Sequence, residues 1–216
     1  MIGIFGGTFD PIHIGHLRPV LEVLEDLALD EIRLIPCHVP PHRTAPVANP
    51  VQRLAMLEAA IQGVPGLKVD DRELRRDGPS YTVDTLISLR AELGDHRPLC
   101  LLLGMDSFRG LDTWRRWREL ITLAHIIVMH RPGSQPPAQG EVAALLAEHI
   151  TDNTALLRAC PAGHILLKEV TQLDISATRI RALIKEGKSA RYLVPDGVWA
   201  MIASEGFYHG ARMSRD

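Results

Sequence analysis

The sequence predicts an α/β fold in which a doubly wound, Rossmann-like parallel sheet is covered by helices on both faces. Apolar runs at residues 2–5, 98–103 and 124–130 are too short for helices and end at glycine or polar residues, which is typical of buried parallel strands. Between them, apolar residues recur at helical spacing, as from Ile14 to Leu27. Because strands alternate with helices, we expect one parallel sheet with right-handed crossovers.

Local signals predict the remaining elements. Residues 31–36 form a second strand, and Asn49 with Pro50 gives the next helix its cap and its first residue. The charged run at 70–77 is expected to be a solvated loop, and the Pro-rich residues 39–46 cannot form regular structure. The other expected elements are, in chain order, a strand at 67–69, a helix at 80–94, a turn at 104–107, a helix that begins at 113, a helix at 141–148, a strand at 164–170, and helices at 175–187 and 194–202.

Composition limits the classes of function. The chain has 216 residues, 46% of them hydrophobic, which predicts a single domain over 1–216 with a small C-terminal helical part at 173–208. A net charge of −2 argues against a nucleic-acid partner. No apolar run approaches the roughly 20 residues that span a bilayer, so we expect a cytoplasmic protein without a membrane segment. Three scattered cysteines indicate a reducing compartment, and no feature specifies an oligomeric state.

The stretch that follows the first strand predicts a phosphate site. Gly6, Gly7 and Thr8 expose backbone amides there, and glycine allows a phosphate chain to come close. His13 and His16 lie three residues apart where the loop becomes a helix, so both imidazoles can face the same ligand. Two imidazoles beside exposed amides are suited to neutralise charge that develops on a phosphoryl oxygen.

A second candidate phosphate site lies far along the chain. Ser176, Thr178, Arg179 and Arg181 surround the start of a predicted helix and offer hydroxyls, guanidinium groups and the positive end of the helix dipole. Two such sites indicate a triphosphate held between them. A nicotinamide-dependent dehydrogenase is excluded, because both the G-x-G-x-x-G pattern and an acidic residue after the second strand are missing.

Three further places could contact a ligand. Gly104 and Asp106 follow the longest apolar run, at the strand end where sheets of this kind bind ligands. The helix start at 80–82 either presents its amides to a carboxylate or is an ordinary cap. Trp114 either stacks on a planar ring or packs in the core. The sequence leaves the last two pairs of alternatives open.

These motifs resemble those of the nucleotidyltransferase superfamily that shares the HIGH signature, and more narrowly those of bacterial nicotinate-nucleotide adenylyltransferases. The superfamily resemblance rests on residues 6–16 and 175–181. Each segment of the narrower resemblance is a weak signal, but the ordered set covers essentially the whole chain. Those segments are 40–43, 52–57, 73–74 with 79–86, 104–107 with 113–114, and 131–133.

The resemblance implies transfer of the adenylyl group of ATP to nicotinate mononucleotide, which gives nicotinate adenine dinucleotide and pyrophosphate in NAD biosynthesis. It implies catalytic roles for His13, His16 and Arg179, and Mg²⁺ that accompanies ATP and is held largely by substrate oxygens. The residues implied to bind ATP are Gly6, Gly7, Thr8, Phe9, His13, His16, Gly104, Asp106, Ser176, Thr178 and Arg179. Those implied to bind nicotinate mononucleotide are Tyr81, Thr82, Trp114 and Arg131.

The chain departs from this family at one position. Cys37 and His38 follow the second strand where the family often has Asn, and with His42 they lack the fourth ligand of a structural metal site. Two alternative functions stay open. One is another HIGH-motif nucleotidyltransferase, such as phosphopantetheine adenylyltransferase, whose chains are usually shorter; the other is a nucleotide-binding regulator without catalysis.

Overall fold

The structure is a computed structural model that describes residues 1–39 and 45–209, so the motif predicted at 40–43 lies outside it. Its strands are β1 (Ile2–Gly7), β2 (Glu31–Pro36), β3 (Leu67–Val69), β4 (Leu99–Gly104), β5 (His125–His130) and β6 (Ile165–Glu169). Its helices are α1 (Ile14–Asp26), α2 (Pro50–Ile61), α3 (Thr82–Leu93), α4 (Met105–Arg109), α5 (Trp117–Leu123), α6 (Glu141–His149), α7 (Thr154–Ala159), α8 (Ala177–Lys185) and α9 (Asp196–Glu205), with a 3₁₀ turn at Leu111–Thr113. Every predicted strand is confirmed to within two residues at each end.

The strands form one sheet in the order β3-β2-β1-β4-β5-β6, and each neighbouring pair is parallel. The chain runs outward from β1 through β2 to β3, and then returns to the other side of β1 with β4. The order therefore reverses between β1 and β4, where connections to opposite sides leave a crevice at the carboxyl ends of the strands. The predicted doubly wound fold class is confirmed.

Apolar cores cover both faces of the sheet. In β4, Leu99, Leu101 and Leu103 enter one core, and Cys100 and Leu102 enter the other. A strand that is buried on both faces has a continuously apolar sequence, and for this reason such strands could be predicted from the sequence. The C-terminal helices α8 and α9 share a core with α1 and α2. This packing holds the C-terminal segment against the first part of the chain.

Three local predictions between β4 and β6 are wrong. The residues after β4 form α4 rather than a turn. The next helix begins at Trp117 and not at 113, because Arg116 adopts a left-handed conformation with φ of 52° and Trp114 is extended. The segment between the predicted helix at 141–148 and the predicted strand at 164–170, for which the sequence predicts no element, contains α7. These short elements depend on tertiary packing more than on an apolar stripe.

The prediction of a solvated loop after β3 is also wrong in part. The Asp70 carboxylate accepts hydrogen bonds from Arg72 Nε at 2.8 and 2.9 Å and from Arg33 Nη1 at 3.4 Å. Glu73 is only 7% exposed and accepts a 2.6 Å hydrogen bond from the Thr85 hydroxyl. The charged run therefore joins β2 and β3 to α3 through paired groups.

The predicted start of α2 is confirmed. Asn49 and Gln52 form a reciprocal capping box, as the cap prediction requires. Leu57 and Ile61 are buried at helical spacing, and the Arg53 side chain is fully buried with them, whereas Leu54 is only partly buried. Within 1–39 and 45–209, none of the helices is both long enough and apolar enough to cross a membrane.

Candidate active site

A cavity of about 470 Å³ opens at the carboxyl ends of β1 and β4. Its lining comes from the ends of β1 and β2, the first turn of α3, and the segment between β4 and α5. This is the point at which the strand order reverses. The fold therefore brings loops that are far apart in the sequence to one crevice, as expected for a doubly wound sheet.

Five of the predicted ATP residues line this cavity. Gly6, Gly7 and Thr8 reach it from β1, and Gly104 and Asp106 reach it from β4. The Asp106 side chain is fully exposed, and its carboxylate lies 3.1 Å from the Arg109 guanidinium. The ends of β1 and β4 thus lie on one cavity, and the binding of ATP there stays a prediction.

The histidine pair lies at the start of α1, beside the end of β1 and the residue after it, Gly6, Gly7 and Thr8, which we call the glycine loop. The His13 and His16 rings stack with centroids 3.6 Å apart, and Phe9 meets His16 edge-on at 5.4 Å. His13 is 4% exposed, and burial lowers its pKa from 6.5 to about 4. At neutral pH His13 is an uncharged imidazole that can offer a hydrogen bond. The role of both rings at the phosphate stays a prediction, and for His13 it would be exercised through a hydrogen bond and not through a positive charge.

Phe9 supports the loop instead of lining the cavity. Its side chain is 2% exposed, and its backbone is left-handed with φ of 50°. A Cβ atom at Gly7 would lie 2.7 Å from the Phe9 ring, so only glycine fits above it. The resemblance implied that Phe9 binds ATP, but this position gives its side chain a packing role beneath the amides.

The two predicted phosphate sites are neighbours in space. A Cβ atom at Gly15 would lie 3.2 Å from Cβ of Ile175, so the segment before α8 passes directly over the start of α1. Arg181 Nη1 donates a 2.6 Å hydrogen bond to the backbone carbonyl of Asp10. The start of α8 is thus fixed beside the histidine loop. Arg181, which was grouped with the second phosphate site, uses its guanidinium for this link.

Ser176, Thr178 and Arg179 lie exposed at the start of α8. Ser176 Oγ accepts a 3.2 Å hydrogen bond from the Arg179 backbone N–H and caps the helix. Within the part of the chain that the structure describes, the Arg179 side chain makes no hydrogen bond or ion pair. Its guanidinium is therefore available to an anion held at the helix start.

The other end of the cavity is aromatic. Tyr81, Thr82 and Trp114, the residues expected to bind the mononucleotide, line this end. Tyr81 is the cap residue of α3 but makes no capping hydrogen bond through its side chain, so the geometry does not support an ordinary side-chain cap. The Trp114 ring packs partly against the core and also lines the cavity, so its core packing is observed and its stacking on a planar ring stays a prediction.

Glu73 also lines the cavity, together with Tyr81 and Thr82, although the sequence predicted no role for it. The Thr85 hydroxyl donates to its carboxylate at 2.6 Å, and the Ser80 hydroxyl also hydrogen-bonds to it. Ser80 Oγ in turn accepts the His38 backbone N–H at 2.9 Å. Burial raises the pKa of Glu73. This chain of hydrogen bonds ties the end of β2 to the first turn of α3.

Arg53 fixes the glycine loop from below. Its Nη1 donates a 2.8 Å hydrogen bond to the Thr8 carbonyl, and its Nη2 donates to the His38 carbonyl at 3.5 Å. A fully buried guanidinium is costly unless its donors are satisfied; these two bonds satisfy part of the group, whereas Nε has no hydrogen-bond partner among the described residues. Sequence reasoning missed this residue. The available signal was a charged residue on the apolar face of a predicted helix.

Asp10 is a second buried anchor that sequence reasoning missed. It is 5% exposed, and its carboxylate accepts hydrogen bonds from the Val47 N–H at 2.8 Å, the Ala48 N–H at 3.0 Å and the Tyr208 hydroxyl at 2.8 Å. Burial, with the Asp10 charge nearby, raises the pKa of Tyr208. Asp10 thus joins the histidine loop to the segment before α2 and to the end of the described chain.

Arg131 and Cys37 differ in their relation to the cavity. Arg131 follows β5, is exposed and does not line the cavity, so its predicted role in binding the mononucleotide gains no support. Cys37 does line it, with Sγ 3.6 Å from Thr8 Oγ1. His38 Nδ1 contacts the Arg76 carbonyl at 3.0 Å. Among the described residues, which exclude His42, no group of three or more His, Cys, Asp or Glu could hold a metal ion.

Known proteins resemble this chain over nearly its whole length. A family model described as cytidylyltransferase-like matches residues 4–183. A chain of Aeromonas hydrophila named "Probable nicotinate-nucleotide adenylyltransferase" is 52% identical over 210 residues, which cover 97% of this chain and 98% of that one. A chain of the same name from Methylococcus capsulatus is 51% identical over 209 residues, which cover 96% of this chain and 99% of that one.

Solved structures share the fold. Plasmodium falciparum nicotinic acid mononucleotide adenylyltransferase complexed with APC superposes with a TM-score of 0.69 at 17% identity, covering 96% of each chain. The same Plasmodium protein complexed with NaAD superposes with a TM-score of 0.68 at 18% identity, again covering 96% of each chain. The fold agrees with the family match and with the identity to the curated relatives. The chain therefore belongs to the cytidylyltransferase-like family and, within it, to the nicotinate-nucleotide adenylyltransferases.

Proposed function

We propose that this chain transfers the adenylyl group of ATP to the phosphate of nicotinate mononucleotide and so forms nicotinate adenine dinucleotide. An oxygen of the mononucleotide phosphate attacks the α-phosphorus of ATP. The bond from that phosphorus to the oxygen bridging the α- and β-phosphates breaks, and pyrophosphate leaves with the bridging oxygen.

One observation carries the proposal: a single cavity is lined by the glycine loop at one end and by Tyr81, Thr82 and Trp114 at the other. The names of the curated relatives support the same reaction.

In this proposal ATP lies at the strand ends. The amides of Gly6, Gly7 and Thr8 face its phosphates, and Gly104 and Asp106 lie beside its adenosine. Arg179, with the exposed start of α8, binds the distal phosphates that become pyrophosphate, assisted by Ser176 and Thr178. Fixed donors that already point at developing charge stabilise a transition state without reorganisation. The Arg53 bond to the Thr8 carbonyl supports this fixed geometry.

The acceptor lies at the aromatic end. Trp114 and Tyr81 supply ring faces for the pyridine, and the start of α3 near Thr82 supplies amides and a positive dipole end for the carboxylate. The acceptor phosphate then points along the cavity toward the α-phosphate of ATP. The chemistry needs little more than this alignment, since bringing two reactants together in the right geometry removes much of the barrier.

The nucleophile does not require a general base. A phosphate monoester, with a second pKa of about 6, is largely ionised at neutral pH. His13 is uncharged there, so we assign it a hydrogen bond that orients the phosphate chain, and we assign His16 the contact with the α-phosphate. The protein contributes positioning and electrostatic stabilisation, as in phosphoryl transfer generally.

Magnesium enters this scheme as part of the substrate, bound to the triphosphate oxygens. Mg²⁺ in nucleotide sites is commonly held by substrate phosphates and water rather than by a protein cage. We further propose a cytoplasmic location, which the free cysteines Cys37, Cys100 and Cys160 support, and one domain over the whole chain.

One assay tests the proposed function. Purified protein with magnesium and ATP is given nicotinate mononucleotide, nicotinamide mononucleotide or phosphopantetheine, and pyrophosphate release is measured. We expect fastest release with the nicotinate acceptor. Release with phosphopantetheine alone would assign the chain to the alternative nucleotidyltransferase. Absence of release with all three acceptors would leave a nucleotide-binding regulator as the better account.

A further inference from the structure

Arg115 is the only basic side chain among the described residues that line the cavity. The two acidic residues that line it are Glu73, which is buried, and Asp106, which lies 3.1 Å from the Arg109 guanidinium. An acceptor that carries several negative charges therefore meets one cation at the aromatic end. Arg115 is therefore the side chain in this lining that can attract a negatively charged group of the acceptor.

The position of the Arg115 guanidinium is set by an aromatic ring. Its central carbon lies 4.6 Å from the centroid of the Tyr81 ring, which is within the range of a cation–π contact. In 1–39 and 45–209, Arg115 makes no ion pair or hydrogen bond through its side chain. By contrast, the neighbouring Arg116 lies 2.6 Å from Glu119. Stacking on Tyr81 covers one face of the guanidinium and leaves its N–H edge available to an anion.

We propose that Arg115 is a specificity-determining residue whose guanidinium pairs with the carboxylate on the pyridine ring of the acceptor. The inference rests on the proposed function. A planar guanidinium matches a carboxylate with two parallel N–H···O bonds, a geometry that an amide cannot reproduce because its NH₂ group is a donor. Tyr81 and Trp114, the aromatic residues next to Arg115, place the pyridine ring at this end of the cavity.

The charge of the acceptor strengthens the discrimination. The pyridine ring of a mononucleotide carries a positive charge on its nitrogen in both the acid and the amide. In the acid, the carboxylate attracts Arg115 and offsets the ring charge. In the amide, Arg115 faces a cationic ring with no anion between them. A single cation thus favours one acceptor and disfavours the other, which is how specificity is commonly achieved.

The test compares Arg115→Gln with the unchanged chain for both acceptors. The chain offers a matched control in Arg118, which lies 4.4 Å above the Trp117 ring and pairs with Glu141, but does not line the cavity. We expect Arg115→Gln to raise KM for nicotinate mononucleotide about tenfold to a hundredfold, the range for a lost charged hydrogen bond. KM for ATP and KM for the amide should not rise. Arg118→Gln should change none of these KM values. Arg115→Lys keeps the positive charge but loses the paired N–H groups of the guanidinium, so its KM for nicotinate mononucleotide should lie between those of the unchanged chain and Arg115→Gln.

Two results would overturn the inference. An unchanged preference for acid over amide in Arg115→Gln would show that the guanidinium does not bind the carboxylate. An equal rise in KM for both acceptors would show that the Arg115 guanidinium binds the phosphate that they share. Titration calorimetry of each mononucleotide, without ATP, gives the same comparison independently of turnover. If the unchanged chain releases no pyrophosphate with either acceptor, the proposed function fails, and the binding data still decide the role of Arg115.

Discussion

The imidazoles of His13 and His16 are stacked with their centroids 3.6 Å apart and an angle of 22° between the ring planes. Two imidazolium ions at this distance would repel each other, so the stack favours at most one charge. Burial settles which ring is neutral, because it lowers the pKa of His13 to about 4. The pair therefore combines an uncharged, buried ring with a second ring that lies against the edge of Phe9.

The first prediction concerns pH and stability. The pKa of His13 falls from 6.5 in the unfolded chain to about 4 in the native state, so between these values the unfolded chain binds more protons. The free energy of unfolding should therefore fall as the pH drops from 6.5 to 4, by on the order of 3 kcal/mol from this residue. Denaturant titrations at several pH values measure it. His13→Gln should show a smaller fall over the same range, and parallel curves for the two proteins would refute the assignment.

The second prediction concerns His16. Replacement by Ala removes the group that we place at the α-phosphate, and loss of one such donor typically lowers turnover by about 10² to 10³. His16 lies in the first turn of α1 and is only partly buried, so we expect the fold to be retained. Single-turnover rates measure the effect, with circular dichroism as the control for folding. A near-normal rate in His16→Ala would remove this ring from the transition state.

The third prediction concerns Arg53. Replacement by Leu leaves the Thr8 carbonyl without its 2.8 Å bond, so the glycine loop loses its anchor. We expect KM for ATP to rise about tenfold and the free energy of unfolding to fall by about 1 to 3 kcal/mol, the cost of an unsatisfied buried polar group. Steady-state kinetics and urea unfolding measure the two effects.

A matched control for this substitution is Arg18→Leu on the outer face of α1. Arg18 is exposed, and within 1–39 and 45–209 its side chain bonds only to Glu22, one turn away. Surface changes of this kind usually alter stability by less than about 0.5 kcal/mol. If Arg18→Leu and Arg53→Leu raise KM for ATP equally, the anchoring role of Arg53 is wrong.

The fourth prediction concerns Asp10. Asp10→Asn places an NH₂ group against donors, since the carboxylate accepts from two backbone N–H groups and from the Tyr208 hydroxyl. We expect the free energy of unfolding to fall by about 2 to 3 kcal/mol. Tyr208→Phe removes only one of these bonds and should cost about 1 kcal/mol. Equal losses in the two variants would mean that Asp10 acts through Tyr208 alone.

The sequence was most informative where structure follows from local chemistry. Strands buried on both faces appeared as apolar runs, and Asn49 with Pro50 marked the start of α2 because capping involves only neighbouring residues. His13 and His16 were found for the same reason, since three-residue spacing at a helix start places two side chains together.

The missed residues depend on partners that are distant in the sequence. Arg53 is buried because it bonds to the Thr8 carbonyl, 45 positions earlier, and no local pattern specifies that acceptor. Asp10 is held by Tyr208, 198 positions later. The lowered pKa of His13 could not be predicted either, because desolvation depends on the packed structure and not on spacing.

The fate of the α-phosphate of ATP tests the central claim most directly. ATP labelled at the α-phosphate is incubated with nicotinate mononucleotide, magnesium and the protein, and the products are separated. Adenylyl transfer predicts that the label moves entirely into nicotinate adenine dinucleotide, while a label on the γ-phosphate leaves as pyrophosphate. Label that stays in ATP, or that is released as free adenosine monophosphate without forming the dinucleotide, would contradict the account.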